Sequence, residues 1–192
     1  RVGERFFLFV GVLRYYKGLH ILLDAVANSD YPVVIVGAGP IEAELKAHAE
    51  RLGLKHVLFV GAVDEDDKVA LLTLCYAVAF PSHLRSEAFG ISLLEGAMYG
   101  KPMISSEIGT GTTYINIDGD TGLVVPPSDP QALGAAMRTL WDNPGMAAAM
   151  GKRAEARYWE MFSSETMAAN YLSLYEELAA RRAVAPLAQL SA

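Results

Sequence analysis

Two patterns of hydrophobic positions alternate along the amino-terminal part of the chain. The first is a short, continuous apolar run, as in Val33–Val36, which is typical of a strand buried on both faces. The second places apolar residues three or four positions apart, as in Gly18–Asn28, and predicts an amphipathic helix. The predicted strands are Phe6–Gly11, Pro32–Gly37, His56–Gly61, Ala77–Phe80, Pro102–Ser105 and Gly122–Val125. The helices predicted between them are Gly18–Asn28, Pro40–Leu52, Glu65–Cys75 and Phe89–Tyr99.

Continuous apolar strands that alternate with helices indicate a parallel sheet covered on both faces. After Pro126 three helices are predicted in succession: Asp129–Asn143, Pro144–Trp159 and Ser163–Arg181. We therefore predict the α/β fold class, with a doubly wound parallel sheet of about six strands and C-terminal helices in one domain over residues 1–182. Residues 183–192 combine proline and small residues without periodicity, and we expect them to form a disordered tail.

Composition and charge exclude several classes of protein. With 192 residues, of which 52% are hydrophobic, the chain can build a core without disulfides or a structural metal. Its single cysteine, Cys75, cannot form an internal disulfide, which favours a reducing compartment, and it is expected to be a small core residue. No apolar run approaches the ~20 residues of a membrane-spanning helix. The net charge of −6 argues against nucleic acid as a partner, although local donors can still hold a small phosphorylated ligand.

The loops that follow the strands are the candidate sites, because doubly wound sheets bind ligands at the carboxyl ends of their strands. The loop after the first strand, residues 11–18, contains Arg14 and Lys17 and opens a helix. Cationic side chains and helix-terminal N–H groups together suit an anion. The alternative, favoured for this loop taken alone, is that both side chains are simply solvated.

Glycine-rich loops follow the second and fifth strands. In Gly37–Pro40 the third glycine of a dinucleotide fingerprint would fall at Glu42, so hydride transfer loses its main support. A tight strand-to-helix turn is the favoured interpretation of this loop. The loop 109–114 is rich in glycine and hydroxyl groups, and without other support we expect an ordinary mobile loop.

The segment after the fourth strand carries two glutamates, Glu87 and Glu95, separated by seven residues. If the next helix begins near Phe89, its first N–H groups point into the crevice at the strand ends, bracketed by the two carboxylates. Carboxylates accept hydrogen bonds from sugar hydroxyls, and free amides bind phosphate or hydroxyl groups. The alternative is a helix-capping Glu87 and a solvated Glu95, although the apolar neighbours Leu94 and Met98 fit a solvent-facing position poorly.

The remaining polar motifs do not predict a metal site. Asp64–Asp66 and Asp118–Asp120 mimic an Asp-x-Asp signature, but both are typical of turns and helix starts. The four histidines show no ligand spacing. Only His83, shortly before Glu87, is a candidate for contact with a ligand, and a solvated loop histidine is an equal alternative.

The order of these motifs along the chain is more specific than any one of them. They are Gly11 with Lys17-Gly18, Gly37-x-Gly39-Pro40, Phe59-Val60-Gly61, Pro81-Ser82, Glu87 with Glu95, Lys101-Pro102 and Gly122–Pro126. From about Phe6 to about Leu178 the chain resembles the carboxyl-terminal, nucleotide-sugar-binding half of a retaining glycosyltransferase of family four, a Rossmann-like half of the GT-B fold. The loops 13–18, 81–87 and 108–114 are similar to those of bacterial O-antigen mannosyltransferases.

The resemblance implies a role for each candidate residue. Glu95 would bind the ribose hydroxyls of the donor, and Glu87 would hold the donor sugar and phosphates together with three backbone amides. These amides belong to Phe89, Gly90 and Ile91. The backbone near Val63 would meet the base, and Lys17 matches the family lysine on the diphosphate, where positive charge stabilises the leaving group.

One position departs from the family pattern. The family usually has an arginine directly after the glycine of the first loop, where this chain has Val12. Arg14 is the nearest substitute and is predicted to bind the donor in its place. Val12 is also the best support for an alternative function, a non-catalytic nucleotide-binding or interaction module.

The implied reaction is hexose transfer with retention from a nucleoside diphosphate sugar to a polysaccharide or glycolipid, with GDP-mannose or GDP-rhamnose as the expected donor. In this family retention is explained by front-face attack assisted by the leaving phosphate. No nucleophile, metal or cofactor is therefore expected, and Glu87 and Glu95 are not the acid and nucleophile of a glycosidase. The amino-terminal acceptor domain is expected to lie outside these 192 residues, so the fragment alone is predicted to be inactive. The full-length protein is expected to associate peripherally with the inner face of the membrane.

Overall fold

A computed structural model describes residue 3 and residues 5–184 of the chain. Its centre is a six-stranded sheet in the order β3-β2-β1-β4-β5-β6, and every strand pair is parallel. The strands are Phe7–Val10 (β1), Val33–Val36 (β2), Val57–Gly61 (β3), Ala77–Phe80 (β4), Met103–Ser106 (β5) and Gly122–Val125 (β6). The predicted doubly wound α/β fold is confirmed.

Eight α-helices connect and follow these strands in the described part of the chain. They are Leu19–Ala25 (α1), Glu42–Arg51 (α2), Glu65–Leu74 (α3), Ile91–Met98 (α4), Thr112–Ile115 (α5), Pro130–Asp142 (α6), Pro144–Met161 (α7) and Ser164–Val184 (α8). A 3₁₀ turn, Tyr15–Lys17, precedes α1. Helix α8 extends two residues into the predicted tail, and the rest of that tail, residues 185–192, lies outside the described residues.

The sheet is buried on both faces, as its continuous apolar strands predict. Successive side chains of a strand point to opposite faces, so Phe7 and Phe9 belong to one apolar cluster and Leu8 to the other. Helices α1 and α6 supply Leu22 and Met137 to the first cluster. The chain therefore has two apolar layers, one on each side of the sheet.

Aspartates begin two of the helices. Asp64 Oδ1 accepts a hydrogen bond from the Asp67 amide at 2.8 Å, and Asp129 Oδ1 accepts one from the Ala132 amide at 2.8 Å. Asp118 Oδ1 accepts from the Val124 amide, also at 2.8 Å. The prediction that the two Asp-x-Asp sequences are turn and helix-start residues is confirmed at Asp64 and Asp118.

Cys75 follows α3 and is buried. Its Sγ donates to the carbonyl oxygen of Leu72 at 3.3 Å, and burial raises the pKa of the thiol to about 12. The prediction of a small core residue is confirmed. None of the helices in the described residues has the length and apolar character to cross a membrane.

The strand order reverses direction at β1, which pairs with β2 on one side and β4 on the other. Ligands of open α/β sheets bind in the crevice outside the carboxyl ends of the strands at such a switch point. This rule predicts a ligand position between the loop after β1, residues 11–18, and the segment after β4, residues 81–90. These are the two segments that contain most of the predicted site residues.

Candidate functional site

Direct backbone contacts hold the loop after β1 against the segment after β4. The His83 amide donates to the carbonyl oxygen of Tyr16 at 3.0 Å. Gly18 has a φ of 70°, and a Cβ at this position would lie 2.0 Å from the carbonyl oxygen of Pro81. Glycine at position 18 is therefore required both by its left-handed conformation and by the close approach of the two segments.

Lys17 and Glu87 form a buried ion pair between these two segments. The distance from Lys17 Nζ to Glu87 Oε2 is 2.5 Å, and the two residues are 9% and 8% exposed. Ser82 Oγ donates to the same carboxylate oxygen at 3.0 Å, and Lys17 Nζ lies 5.1 Å from the centroid of the Phe80 ring. The interpretation of Lys17 as a solvated cation and that of Glu87 as a helix cap are both wrong.

The pair leaves part of its hydrogen-bonding capacity for a ligand. The Lys17 ammonium has three N–H donors, and one of them is directed at Glu87. Both hydrogen bonds to Glu87 end on Oε2, and no side-chain hydrogen bond of the described residues uses Oε1. The arrangement therefore offers a cation and a carboxylate oxygen side by side, as the binding of a phosphorylated sugar requires.

The amino terminus of α4 lies directly after Glu87 in the chain. Helix α4 begins at Ile91 rather than near Phe89, because Gly90 has a φ of 101° and interrupts the helical conformation. The amides of Phe89, Gly90 and Ile91 donate no backbone hydrogen bond within the described residues. Unpaired amides at a helix start favour an anion or a hydroxyl group, which is the role predicted for these three residues.

Glu95 lies one turn further along α4 and is engaged by a residue that the sequence analysis missed. Lys68 of α3 donates to Glu95 Oε1 at 2.7 Å and also pairs with Glu65 at 2.9 Å. The pKa of Lys68 is raised, chiefly by its hydrogen bond to Glu95. Lys68 follows four acidic residues at a helix start, a pattern typical of a solvated surface, so the sequence gives no local signal for this contact.

The two other predicted binding residues, Val63 and Arg14, make no side-chain hydrogen bond to Lys17 or Glu87. Val63 lies between β3 and α3 and packs at the edge of the apolar cluster that contains Leu93 of α4. Arg14 is exposed, immediately precedes the 3₁₀ turn, and makes no side-chain hydrogen bond to any described residue. The roles of Val63 and Arg14 stay predictions.

The glycines of the loop after β2 allow the loop after β1 to pack closely against it. A Cβ on Gly37 would lie 1.9 Å from the carbonyl oxygen of Gly11, and one on Gly39 would lie 2.3 Å from that of Leu13. The Leu13 amide donates to the carbonyl oxygen of Ala38 at 3.0 Å. The tight strand-to-helix turn predicted here thus also supports the loop that carries Lys17.

The hydroxyl-rich loop after β5 packs against the segment that precedes α4. The Gly111 amide donates to the carbonyl oxygen of Ala88 at 3.0 Å, and a Cβ on Gly111 would lie 2.5 Å from Phe89 Cδ2. Thr112, at the start of the short helix α5, is buried. This loop therefore packs beside the α4 amides, and its mobility stays a prediction.

His83 is buried, contrary to the alternative of a solvated loop histidine. Its ring lies 5.0 Å from that of Tyr15 and 5.1 Å from that of His20, measured between centroids. The pKa of His20 is lowered, first by burial and then by the neighbouring His83. In the part of the chain that the structure describes, no group of three or more His, Cys, Asp or Glu side chains is arranged to hold a metal ion.

Comparison with protein families gives a match over most of the chain. The family model described as "Glycosyl transferases group 1" matches residues 1–157. The chain is 71% identical over 164 residues to D-rhamnosyltransferase WbpZ of Pseudomonas aeruginosa and 54% identical over 177 residues to O-antigen chain mannosyltransferase C of Escherichia coli. These matches cover 85% and 92% of the chain, but only 43% and 48% of the two relatives.

Solved structures share the fold of this domain. The crystal structure of Anabaena HepE in complex with UDP-glucose superposes with a TM-score of 0.82 at 25% sequence identity. The superposition covers 92% of this chain and 50% of the HepE chain. The chain thus corresponds to about half the length of both its sequence relatives and this structural neighbour.

Proposed function

Because the chain belongs to the glycosyl transferases group 1 family, we propose that it is the donor-binding domain of a hexosyltransferase and holds a nucleoside diphosphate sugar in the crevice between the loops after β1 and β4. The buried Lys17–Glu87 pair beside the unbonded amides at the start of α4 carries this proposal. A buried ion pair is a weak source of stability, whereas a fixed cation next to free amides suits a diphosphate.

Lys17 and the α4 amides would bind the diphosphate. When the bond from the sugar to the phosphate breaks, negative charge accumulates on the leaving nucleoside diphosphate. A cation and amides already fixed in place stabilise that charge without reorganisation. Glu87, whose carboxylate also accepts from Ser82, holds the ammonium group of Lys17 in one position, so the cation does not need to be recruited from solvent.

The hydroxyl groups of the donor would be bound by the two glutamates. Glu87 would accept from the donor sugar through Oε1, the carboxylate oxygen that Lys17 and Ser82 leave free. Glu95 would accept from the ribose, with its carboxylate oriented by Lys68. The backbone near Val63 would meet the base, and Arg14 would approach the phosphates once the donor is bound.

Two observations support mannose or D-rhamnose as the sugar. The two relatives at 71% and 54% identity are named as a D-rhamnosyltransferase and a mannosyltransferase. D-rhamnose is 6-deoxy-D-mannose, so the two sugars present the same hydroxyls at the other ring positions. We propose GDP as the nucleotide, and the UDP-glucose complex of the more distant HepE makes UDP the alternative.

The proposed reaction retains the configuration of the sugar by front-face attack, in which the leaving phosphate assists the acceptor. Glu87 would not act as a nucleophile, because its Oε2 is bonded to Lys17 and Ser82 and its Oε1 is proposed to accept from a hydroxyl of the donor sugar. Binding would need no metal, since Lys17 and the amides supply the positive potential.

The proposed partner is an amino-terminal acceptor domain of the same protein. The matches to curated relatives cover less than half of each relative's length, which supports a second domain that binds the acceptor. We propose that the whole enzyme extends an O-antigen polysaccharide or glycolipid in the cytoplasm, at the inner face of the membrane. The alternative of a non-catalytic nucleotide-binding module is favoured by Val12, which is 52% exposed where the family has arginine.

Turnover by the full-length protein tests the proposal. GDP-mannose, GDP-D-rhamnose and UDP-glucose would be offered with a lipid-linked glycan acceptor, and NMR would read the anomeric configuration of the product. Transfer from a GDP sugar with retained configuration is expected, and inversion would exclude the front-face mechanism. Nucleotide binding without transfer from any donor would favour the non-catalytic module.

A further inference from the structure

His83 joins segments of the candidate site that are far apart in the sequence. Its Nε2 lies 3.1 Å from the carbonyl oxygen of Tyr15, and its Nδ1 lies 2.9 Å from Oγ of Ser128. A carbonyl oxygen only accepts, so Nε2 carries a proton and donates to Tyr15, while Nδ1 shares the second hydrogen bond with the Ser128 hydroxyl. His83 itself is 7% exposed, and its ring joins two residues, Tyr15 and Ser128, that lie at the surface.

Ser128 is held in an unfavourable backbone conformation. Its φ is 58°, and it is the only non-glycine residue with a positive φ among the residues that the structure describes. Such a conformation persists in a residue with a Cβ where surrounding contacts fix it, and glycine would adopt it without strain. The hydroxyl group bonded to His83 is the feature of Ser128 that glycine would lack.

The segment that His83 contacts is the turn that carries Lys17. The Lys17 amide donates to the carbonyl oxygen of Arg14 and the Gly18 amide to that of Tyr15, both at 3.0 Å. The Tyr15 carbonyl therefore accepts from the closing bond of the turn and from the ring of His83. Any rotation of this turn would move the Lys17 ammonium relative to Glu87.

We propose that His83, tethered by Ser128, is a positioning residue that fixes the Tyr15–Lys17 turn and thereby aims Lys17 at the diphosphate of the donor. The inference rests on the proposed function for the identity of that ligand. Both ring nitrogens of His83 are bonded to protein atoms, so the proposal gives His83 no direct contact with the donor. It links the loop after β6 to the loop after β1, so the position of Lys17 depends on a residue 111 positions further along the chain.

Hydrogen exchange tests the positioning role without any nucleotide. His83→Ala removes both ring contacts and should speed exchange of the Gly18 amide. His83→Gln places an amide donor near the position of Nε2 and should restore protection. The Gly53 amide, which closes a distant turn by donating to Glu50 at 3.0 Å, should exchange equally in all variants. Unchanged exchange at Gly18 in His83→Ala would overturn the proposal, whether or not the chain binds a nucleotide.

Ser128→Gly separates positioning from stability. Removal of the hydroxyl relieves the backbone strain, so the urea midpoint should stay the same or rise. The affinity for GDP should nevertheless fall about two- to tenfold, the equivalent of one hydrogen bond, while the affinity for guanosine stays constant. If His83 served only to stabilise the fold, GDP affinity would fall only in variants whose urea midpoint falls. Wild-type GDP affinity in Ser128→Gly would therefore contradict the proposal. Absence of GDP binding in the wild type would instead reject the proposed function, and the exchange comparison would still decide the role of His83.

Discussion

At the scale of single residues, the site depends on charges that are paired across the fold. Lys17 and Glu87 are 70 residues apart in the chain, and Lys68 and Glu95 are 27 residues apart. The sequence motif identifies the two glutamates and Lys17 as candidates. It does not predict these partners, because a contact between distant segments leaves no periodic or local signal.

The Lys17–Glu87 pair allows stability and binding to be separated. Lys17→Met leaves the buried Glu87 carboxylate without its cation, so we expect a loss of about 3–5 kcal/mol in the free energy of unfolding. The double variant Lys17→Met/Glu87→Gln removes both charges and should regain most of this stability. It should not regain affinity for GDP, because no cation faces the diphosphate. Urea unfolding and calorimetry measure the two quantities, and wild-type GDP affinity in the double variant would exclude Lys17 from the phosphate site.

Glu95 and Glu65 form a matched pair for testing the ribose contact. Both bond Lys68, at 2.7 and 2.9 Å, but the Glu65 side chain is 75% exposed. Glu95→Ala should weaken GDP binding by about 1–3 kcal/mol through lost hydrogen bonds to a charged group, and the fold should stay intact. Glu65→Ala should have almost no effect in the same titration. Equal losses of GDP affinity in the two variants would mean that Glu95 acts only through its ion pair with Lys68 and does not contact the ribose.

At the scale of elements, the sequence predicts the bounds of strands better than the starts of helices or the presence of short helices. The bounds of Ala77–Phe80 and Gly122–Val125 agree with the predictions, because each short apolar run is followed directly by a proline, Pro81 or Pro126. Helix α4 was predicted to begin at Phe89 but begins at Ile91 in the structure. The difference arises because Gly90 adopts a left-handed conformation that depends on its packing. Helix α5 was not predicted because four residues are too few to show a helical period.

Two glycines with the same backbone conformation distinguish local from tertiary requirements. Gly18 and Gly53 have φ values of 70° and 69°, but only Gly18 faces another segment, at Pro81. Gly53→Ala should cost about 1 kcal/mol in the free energy of unfolding from left-handed strain alone. Gly18→Ala should cost an additional ~1–3 kcal/mol because its Cβ would push the two site loops apart. Urea unfolding followed by circular dichroism compares them, and equal costs would show that the close approach at Pro81 is unimportant.

At the scale of the whole molecule, this domain contains the proposed donor crevice and would be half of the proposed enzyme. The two apolar layers belong to this domain, and the crevice is formed by its own loops. We therefore expect the chain alone to bind the nucleotide and to show no transfer to a glycan acceptor. A coupled assay for GDP release, with the full-length protein as the positive control, measures this. Robust transfer by the chain alone would show that no second domain is needed.

The source of positive charge in the crevice can be tested by chelation. We expect the affinity for GDP to be unchanged in EDTA, because Lys17 and the α4 amides supply the charge complementarity. The matched measurement repeats the titration after addition of magnesium or manganese. Binding that is lost in EDTA and restored by either cation would show that a metal ion bridges the diphosphate.

Calorimetric titration of the chain with GDP and, in parallel, with UDP measures whether this domain binds a nucleoside diphosphate. Saturable binding of GDP at one site per chain is expected, with weaker binding of UDP. Tighter binding of UDP would change the proposed donor and leave the crevice as the nucleotide site. Failure of the chain to bind either nucleotide would contradict the account, because Lys17, Glu87 and the amides of α4 would then have no diphosphate to hold.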